Sequence, residues 1–101
     1  MFFVYVLLSM KDGKFYIGLT DDVQERLRAH NSGKTESTRK RRPFDLIYYE
    51  AYVNRYDAKG RERFLKSGSG HRFLKKQLKC YFETIQRVCR KVPFEDHATL
   101  K

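Results

Sequence analysis

Seven consecutive apolar residues, Phe2 to Leu8 (FFVYVLL), run from near the start of the chain to Ser9. The run is rich in β-branched and aromatic types and is apolar on both alternating faces, the pattern of a buried strand. It is too short for a membrane span, which needs about 20 apolar residues as a helix, and it lacks a signal peptide's basic leader and cleavage site. Lys11-Asp12-Gly13 follows, and Asp-Gly is a strong tight-turn signal. Lys14 to Gly18 (KFYIG) then returns as a second strand, which completes a β-hairpin.

Beyond the hairpin, Thr20-Asp21-Asp22 supplies short oxygen-bearing side chains that accept the free amide hydrogens of a helix's first turn. The helix should run to about His30 and stop in Asn31-Ser32-Gly33. Residues 33–43 are polar and basic and read as a loop, and Phe44 to Tyr52 reads as a third strand. A second helix is expected over Tyr56 to Lys66, weakened by Gly60 at a cost of about 1 kcal/mol against Ala. Ser67-Gly68-Ser69-Gly70 should break it. A third helix should start at His71 and continue to Arg90, with Leu74, Leu78, Ile85 and Val88 at helical spacing. The expected organisation is one domain over residues 1–82 and a helical extension and tail over 83–101.

The 101 residues contain 22 Lys and Arg against 12 Asp and Glu, a formal net charge of +10. Such an excess attracts polyanions at long range, so a nucleic-acid partner is expected. Cys80 and Cys89 lie nine residues apart, which matches no zinc spacing and reads as two reduced thiols. A cytoplasmic protein without membrane contact or small-molecule cofactor is expected, as a monomer or weak dimer.

Two pairs of residues and a single carboxylate carry the chemistry. Tyr5 and Tyr16 lie eleven residues apart across the turn, which can bring two phenols together on neighbouring strands. Such pairs are also ordinary cross-strand packing. Gly18 closes the second strand, where a missing side chain lets another group approach the backbone. On the first helix, Arg26 and His30 fall on the same side as the apolar Val23 and Leu27, at the edge of the core; Arg26 could equally snorkel to water. On the second, Glu62 shares a face with Ala58 and Leu65. A buried carboxylate is costly unless it is paired or binds a metal, so Glu62 is either an ion-pair partner or a ligand.

Together these residues suit phosphodiester hydrolysis. A phenol can be the base for the attacking water if nearby cations lower its pKa from about 10. An Arg can grip phosphate oxygens bidentately. Mg²⁺, or Mn²⁺, suits a site of one carboxylate, several waters and the phosphate itself.

The ordered set also resembles a known family. Phe3-Val4-Tyr5 and Tyr16-Ile17-Gly18 resemble the paired motifs of the GIY-YIG endonucleases, with Arg26 ten residues after the second tyrosine and His30 one turn later. Ala58 to Lys66 (AKGRERFLK) resembles the family's acidic helix. Thr38-Arg39, Arg42-Pro43 and the strand through Tyr48-Tyr49-Glu50 resemble the small stand-alone members. The resemblance implies an α/β (α+β) sandwich, a three-stranded antiparallel sheet flanked by helices. It implies Tyr5 as general base, with Tyr16 sharing its network or taking that role. Arg26 and His30 would stabilise the phosphate, and Glu62 would hold the metal.

Two positions depart from the pattern. Phe3 stands where Gly is usual, and no Asn follows Asn54, although many members carry one after the acidic helix. The leading reading is a metal-dependent endonuclease on branched, damaged or single-stranded DNA, with little sequence preference and a role in DNA repair. A catalytically weak nucleic-acid-binding module on the same scaffold is the alternative, and charge alone would also suit an RNA-binding protein. Arg39, Lys40, Arg41 and Arg42 form a compact basic loop expected to contact backbone phosphates.

Overall fold

The computed structural model describes residues 1–89, with side chains through residue 85. Three strands, β1 (Phe2–Ser9), β2 (Phe15–Thr20) and β3 (Phe44–Tyr52), form one antiparallel sheet in the order β2-β1-β3. The doubly apolar run is thus the central strand, and Val4, Val6 and Leu7 are fully buried. The hairpin turn forms as expected: Gly13 has φ 71°, and the Ser9 hydroxyl oxygen accepts from the amides of Lys11 and Asp12, each at 3.1 Å.

Register fixes which side chains share a face. Tyr5 stands opposite Gly18 on β2 and Tyr49 on β3, and Leu7 stands opposite Tyr16 and Leu46, with a bulge in the β3 pairing between Val6 and Leu7. On this face Tyr5, Leu7 and Phe44 pack with Tyr16, Leu46 and two residues of α1 (Val23–Ser32), Val23 and Leu27. The α1 N-terminus is capped by Asp22, whose carboxylate accepts from the Glu25 amide at 3.0 Å, and the helix ends in Gly33 at φ 85°. Both caps are where the sequence puts them.

A second helix, α2 (Arg55–Lys66), packs against all three strands and buries Ala58 and Leu65 completely. Its Arg61 grips the Glu50 carboxylate of β3 with two bonds, 2.9 and 3.0 Å, and the phenols of Tyr48 and Tyr52 donate to the same carboxylate at 2.5 Å. Burial opposes the charge, but these donors hold the Glu50 carboxyl below its ordinary range. A carboxylate satisfied on both oxygens fastens β3 to α2.

Residues 1–66 form one compact unit, and the chain from Ser67 forms another. In the second, α3 (Gly68–Gln77) starts earlier than expected: the Ser-Gly-Ser-Gly stretch is its cap and first turn, with the Ser67 hydroxyl accepting from the Gly70 amide at 3.1 Å. The expected single helix is also divided. Leu78, at φ −105° and ψ 29°, ends α3, and α4 (Lys79–Cys89) follows. The side chain of Val88 and the expected tail lie outside the described residues. Among those residues no helix is long and apolar enough to cross a membrane.

Candidate active site

Tyr5, at the centre of the sheet, is 3% exposed. Its ring lies across Gly18 on β2, close enough that any Cβ there would collide with the hydroxyl and the ring. The missing side chain of Gly18 is what lets the phenol cross the neighbouring strand toward Tyr16 and α1. The Tyr5 and Tyr16 ring centres are 6.3 Å apart, and Tyr16 is 4.7 Å from the His30 ring. The two phenols therefore do meet.

His30, in the last turn of α1, is 1% exposed, and both ring nitrogens are engaged. Nε2 lies 3.2 Å from the Tyr5 hydroxyl, and Nδ1 lies 2.8 Å from the hydroxyl of Thr38, itself buried. In the tautomer with Nδ1 protonated, the Thr38 hydroxyl accepts from Nδ1–H and turns its own hydrogen toward the Thr35 carbonyl, 3.4 Å away. That ordering leaves Nε2 as the acceptor and Tyr5 as the donor. Burial first, and then the cation of Arg26, hold the His30 pKa below its ordinary value. The imidazole is therefore neutral at pH 7, with one ring nitrogen carrying no proton.

The expected lowering of the Tyr5 pKa is reversed in the protein alone. Burial raises it well above the usual phenol value, as does Tyr16; Arg26 pulls it back, and the Glu62 charge adds to the rise. A desolvated phenol resists becoming phenolate. Its route to a base therefore passes through a neighbour that takes its proton.

Arg26 and Glu62 both act electrostatically on Tyr5, so Tyr5, Tyr16, His30, Arg26 and Glu62 share one neighbourhood. Arg26 is exposed, not tucked at the core edge, because the turn of α1 that buries His30 lies one step further along. The Glu62 side chain is 19% exposed and pairs with Lys66 at 3.1 Å, one helical turn away. This donor set limits the kind of metal site the chain can offer. An exposed i,i+4 pair is worth only about 0.3–0.5 kcal/mol and yields readily to a divalent cation. No group of three or more His, Cys, Asp or Glu is gathered to enclose a metal among the described residues. One accessible carboxylate fits a hydrated cation shared with phosphate and not an all-protein cage.

The basic segment is more structured than a loop: Arg39–Arg41 form a short 3-10 turn. Arg41 is committed inward. Its guanidinium bonds Asp12 at 2.7 Å, reaches the carbonyls of Lys14 and Phe15, and lies 5.5 Å over the Phe44 ring. The bond from Arg41 brings the Asp12 carboxyl down to about 2. Arg39 and Arg42 are oriented by bonds from their Nε atoms to the carbonyls of Gly33 and Arg39, 2.8 Å each. With Lys11 and Lys40 they line an open pocket of about 480 Å³. Arg39, Lys40 and Arg42 thus form the cationic surface expected from the sequence, and Arg41 is a strut beneath it. Lys11 is a functional candidate that the sequence pattern does not single out, and Thr38, named there only within the resemblance, gains a partner in His30. Thr38 stands eight residues beyond His30 across the Gly33 turn, and no short-range pattern predicts that they meet.

A three-stranded antiparallel sheet flanked by helices, with the two tyrosine-bearing strands side by side, is the framework of a nuclease-type domain. The GIY-YIG catalytic domain model matches residues 1–78, and the chain belongs to that family. Among known proteins it is similar to a UPF0213 protein of Lacticaseibacillus paracasei, 42% identical over 72 residues, spanning 70% of this chain and 80% of the relative. A UPF0213 protein of Staphylococcus epidermidis is 38% identical over 74 residues, 72% of this chain and 89% of the relative. The solution structure of a UPF0213 protein from Bacillus halodurans is 36% identical, covering 76% of this chain and 85% of that one, with a TM-score of 0.48.

Proposed function

We propose that the chain is a metal-dependent DNA endonuclease that hydrolyses phosphodiester bonds with little sequence preference. The observation that carries this reading is the ordered chain from Tyr5 through His30 to Thr38, beside Arg26 and Glu62. Tyr5 takes a proton from the attacking water as its own passes to Nε2 of His30. Thr38 holds Nδ1–H and so keeps Nε2 open for that proton. Arg26 grips the phosphate oxygens, whose negative charge offsets the repulsion between the Arg26 cation and the imidazolium formed at His30. Tyr16 packs beside both rings and keeps them in register. Glu62 would hold Mg²⁺ or Mn²⁺. The cation, when bound, supplies positive charge at the phosphate and leaving oxygen and cancels the upward pull of the carboxylate on Tyr5.

Labelled duplex, flap, forked and single-stranded DNA incubated with Mg²⁺, Mn²⁺ or EDTA tests the reading. EDTA and Glu62→Gln should each lower cleavage at least about 100-fold, since a catalytic metal supplies several kcal/mol of charge stabilisation. DNA binding in EDTA should persist. Binding without metal-stimulated cleavage would leave only the binding module.

Affinity should come from the cationic surface. Changing Arg39, Lys40 and Arg42 together to Gln should flatten the slope of log affinity against log salt by about 2–3, near 0.9 for each phosphate no longer neutralised. Arg41→Gln should leave that slope nearly unchanged and loosen the hairpin turn instead. Fluorescence anisotropy across a salt series reads both, and equal slopes for the wild type and both variants would remove the assignment.

A further inference from the structure

The face of the sheet that carries Tyr5 continues into a cavity that the hydrolytic site does not use. Its volume is about 300 Å³, and Phe3, Tyr49, Leu46 and Val23 form its walls, with Asp21 and Gln24 at its rim. Small-molecule pockets run from about 300 to 1,000 Å³, so this one suits a single planar group. Phe3 and Tyr49 meet edge to face, with ring centres 5.8 Å apart at 70°. Tyr49 is 54% exposed. An aromatic that gains so little from burial in the core is suited to gain it from a ligand.

We propose that this cavity binds one unpaired DNA base adjoining the phosphate that is cut, a proposal that rests on the nuclease reading above. Position argues for it first. Phe3 and Tyr5 are alternate residues of β1 and face the same way, with their backbones about 7 Å apart, so the cavity lies on the sheet face that carries the catalytic phenol. A DNA strand lying along that face passes both. Charge argues for it next. In a chain of net charge +10, two carboxylates line this cavity, Asp21 and Asp22, the second with one oxygen capping α1. They repel a phosphate but accept hydrogen bonds from the amino groups of adenine, cytosine or guanine, so the base and not the backbone enters. Stacking on the exposed Tyr49 ring needs no particular base identity. Phe3, which departs from the usual Gly of the first motif, gains a role as the opposite wall.

The test uses the whole protein in EDTA, which stops cleavage. The probes are a DNA duplex with one unpaired 2-aminopurine and the same duplex fully paired. Wild type should bind the unpaired probe more tightly and quench its fluorescence. Tyr49→Ala should weaken that binding about tenfold, abolish the quenching, and leave paired-duplex affinity unchanged. Tyr49→Phe should behave as wild type. Equal weakening on both probes, or no weakening on either, overturns the proposal while leaving metal-dependent cleavage, assayed separately, standing. Failure of wild type to bind either probe overturns this proposal and the nuclease reading together.

Discussion

Tyr5→Phe should lower the rate of DNA cleavage by about 10²–10⁴-fold, the range that general-base catalysis contributes, without changing DNA affinity in EDTA. The substitution removes one oxygen and keeps the ring that fills the space over Gly18. It also strips Nε2 of His30 of its donor, and a buried polar atom left unpaired costs about 1–3 kcal/mol. A modest fall in melting temperature should therefore accompany the loss of rate. Single-turnover cleavage, read beside thermal melting, separates the two effects. The role of His30 gives the result a pH signature. Its pKa is held below the ordinary 6.5, so the neutral, proton-accepting ring persists at pH 7. Below about pH 6.5 the unfolded chain binds a proton that the folded chain resists, so stability declines as pH falls, and the rate declines once the ring itself protonates. His30→Gln should be slow at every pH and lack that acid limb. A Tyr5→Phe protein that cuts at the wild-type rate would assign the base to Tyr16 or to no phenol at all.

The parts of the site that were legible in the sequence are those set by short-range periodicity. The Asp-Gly turn fixes the hairpin, so Tyr5, Tyr16 and Gly18 had to lie close on adjacent strands. The 3.6-residue repeat placed Glu62 with Ala58 and Leu65, and the structure keeps that face, with the Glu62 carboxylate at its partly exposed edge. Contacts closed by irregular backbone were not legible. Thr38 reaches His30 only because Gly33 turns the chain at positive φ and Arg39–Arg41 coil behind it. Arg41 was indistinguishable from its neighbours in a run of four cations, since its partner Asp12 sits 29 residues away in the hairpin turn. The direction of the Tyr5 pKa shift also escaped the sequence. Counting nearby cations predicts a fall, but burial outweighs Arg26. The division at Leu78 was hidden for another reason: the apolar spacing continues through it, and periodicity does not report a break in the backbone.

Gly18→Ala should be nearly as damaging to activity as Tyr5→Phe, although the added methyl group carries no chemistry. Most strand glycines tolerate Ala, but here the new carbon would fall on the Tyr5 hydroxyl and ring. The ring is 3% exposed and packed with Leu7 and Phe44, so it has little freedom to withdraw. Either it rotates and gives up His30, or β1 and β2 part. Overpacking of this kind costs about 1–3 kcal/mol, so a lower melting temperature is expected along with slow cleavage. The decisive comparison is a double-mutant cycle with Tyr5→Ala, read by urea unfolding. Once the ring is gone the methyl group has room, so Gly18→Ala should cost much less in that background than in the wild type. Contacting residues commonly show such coupling at about 0.5–3 kcal/mol. Strict additivity would mean that the phenol does not lie across the glycine, and the path by which Tyr5 reaches His30 would have to be redrawn.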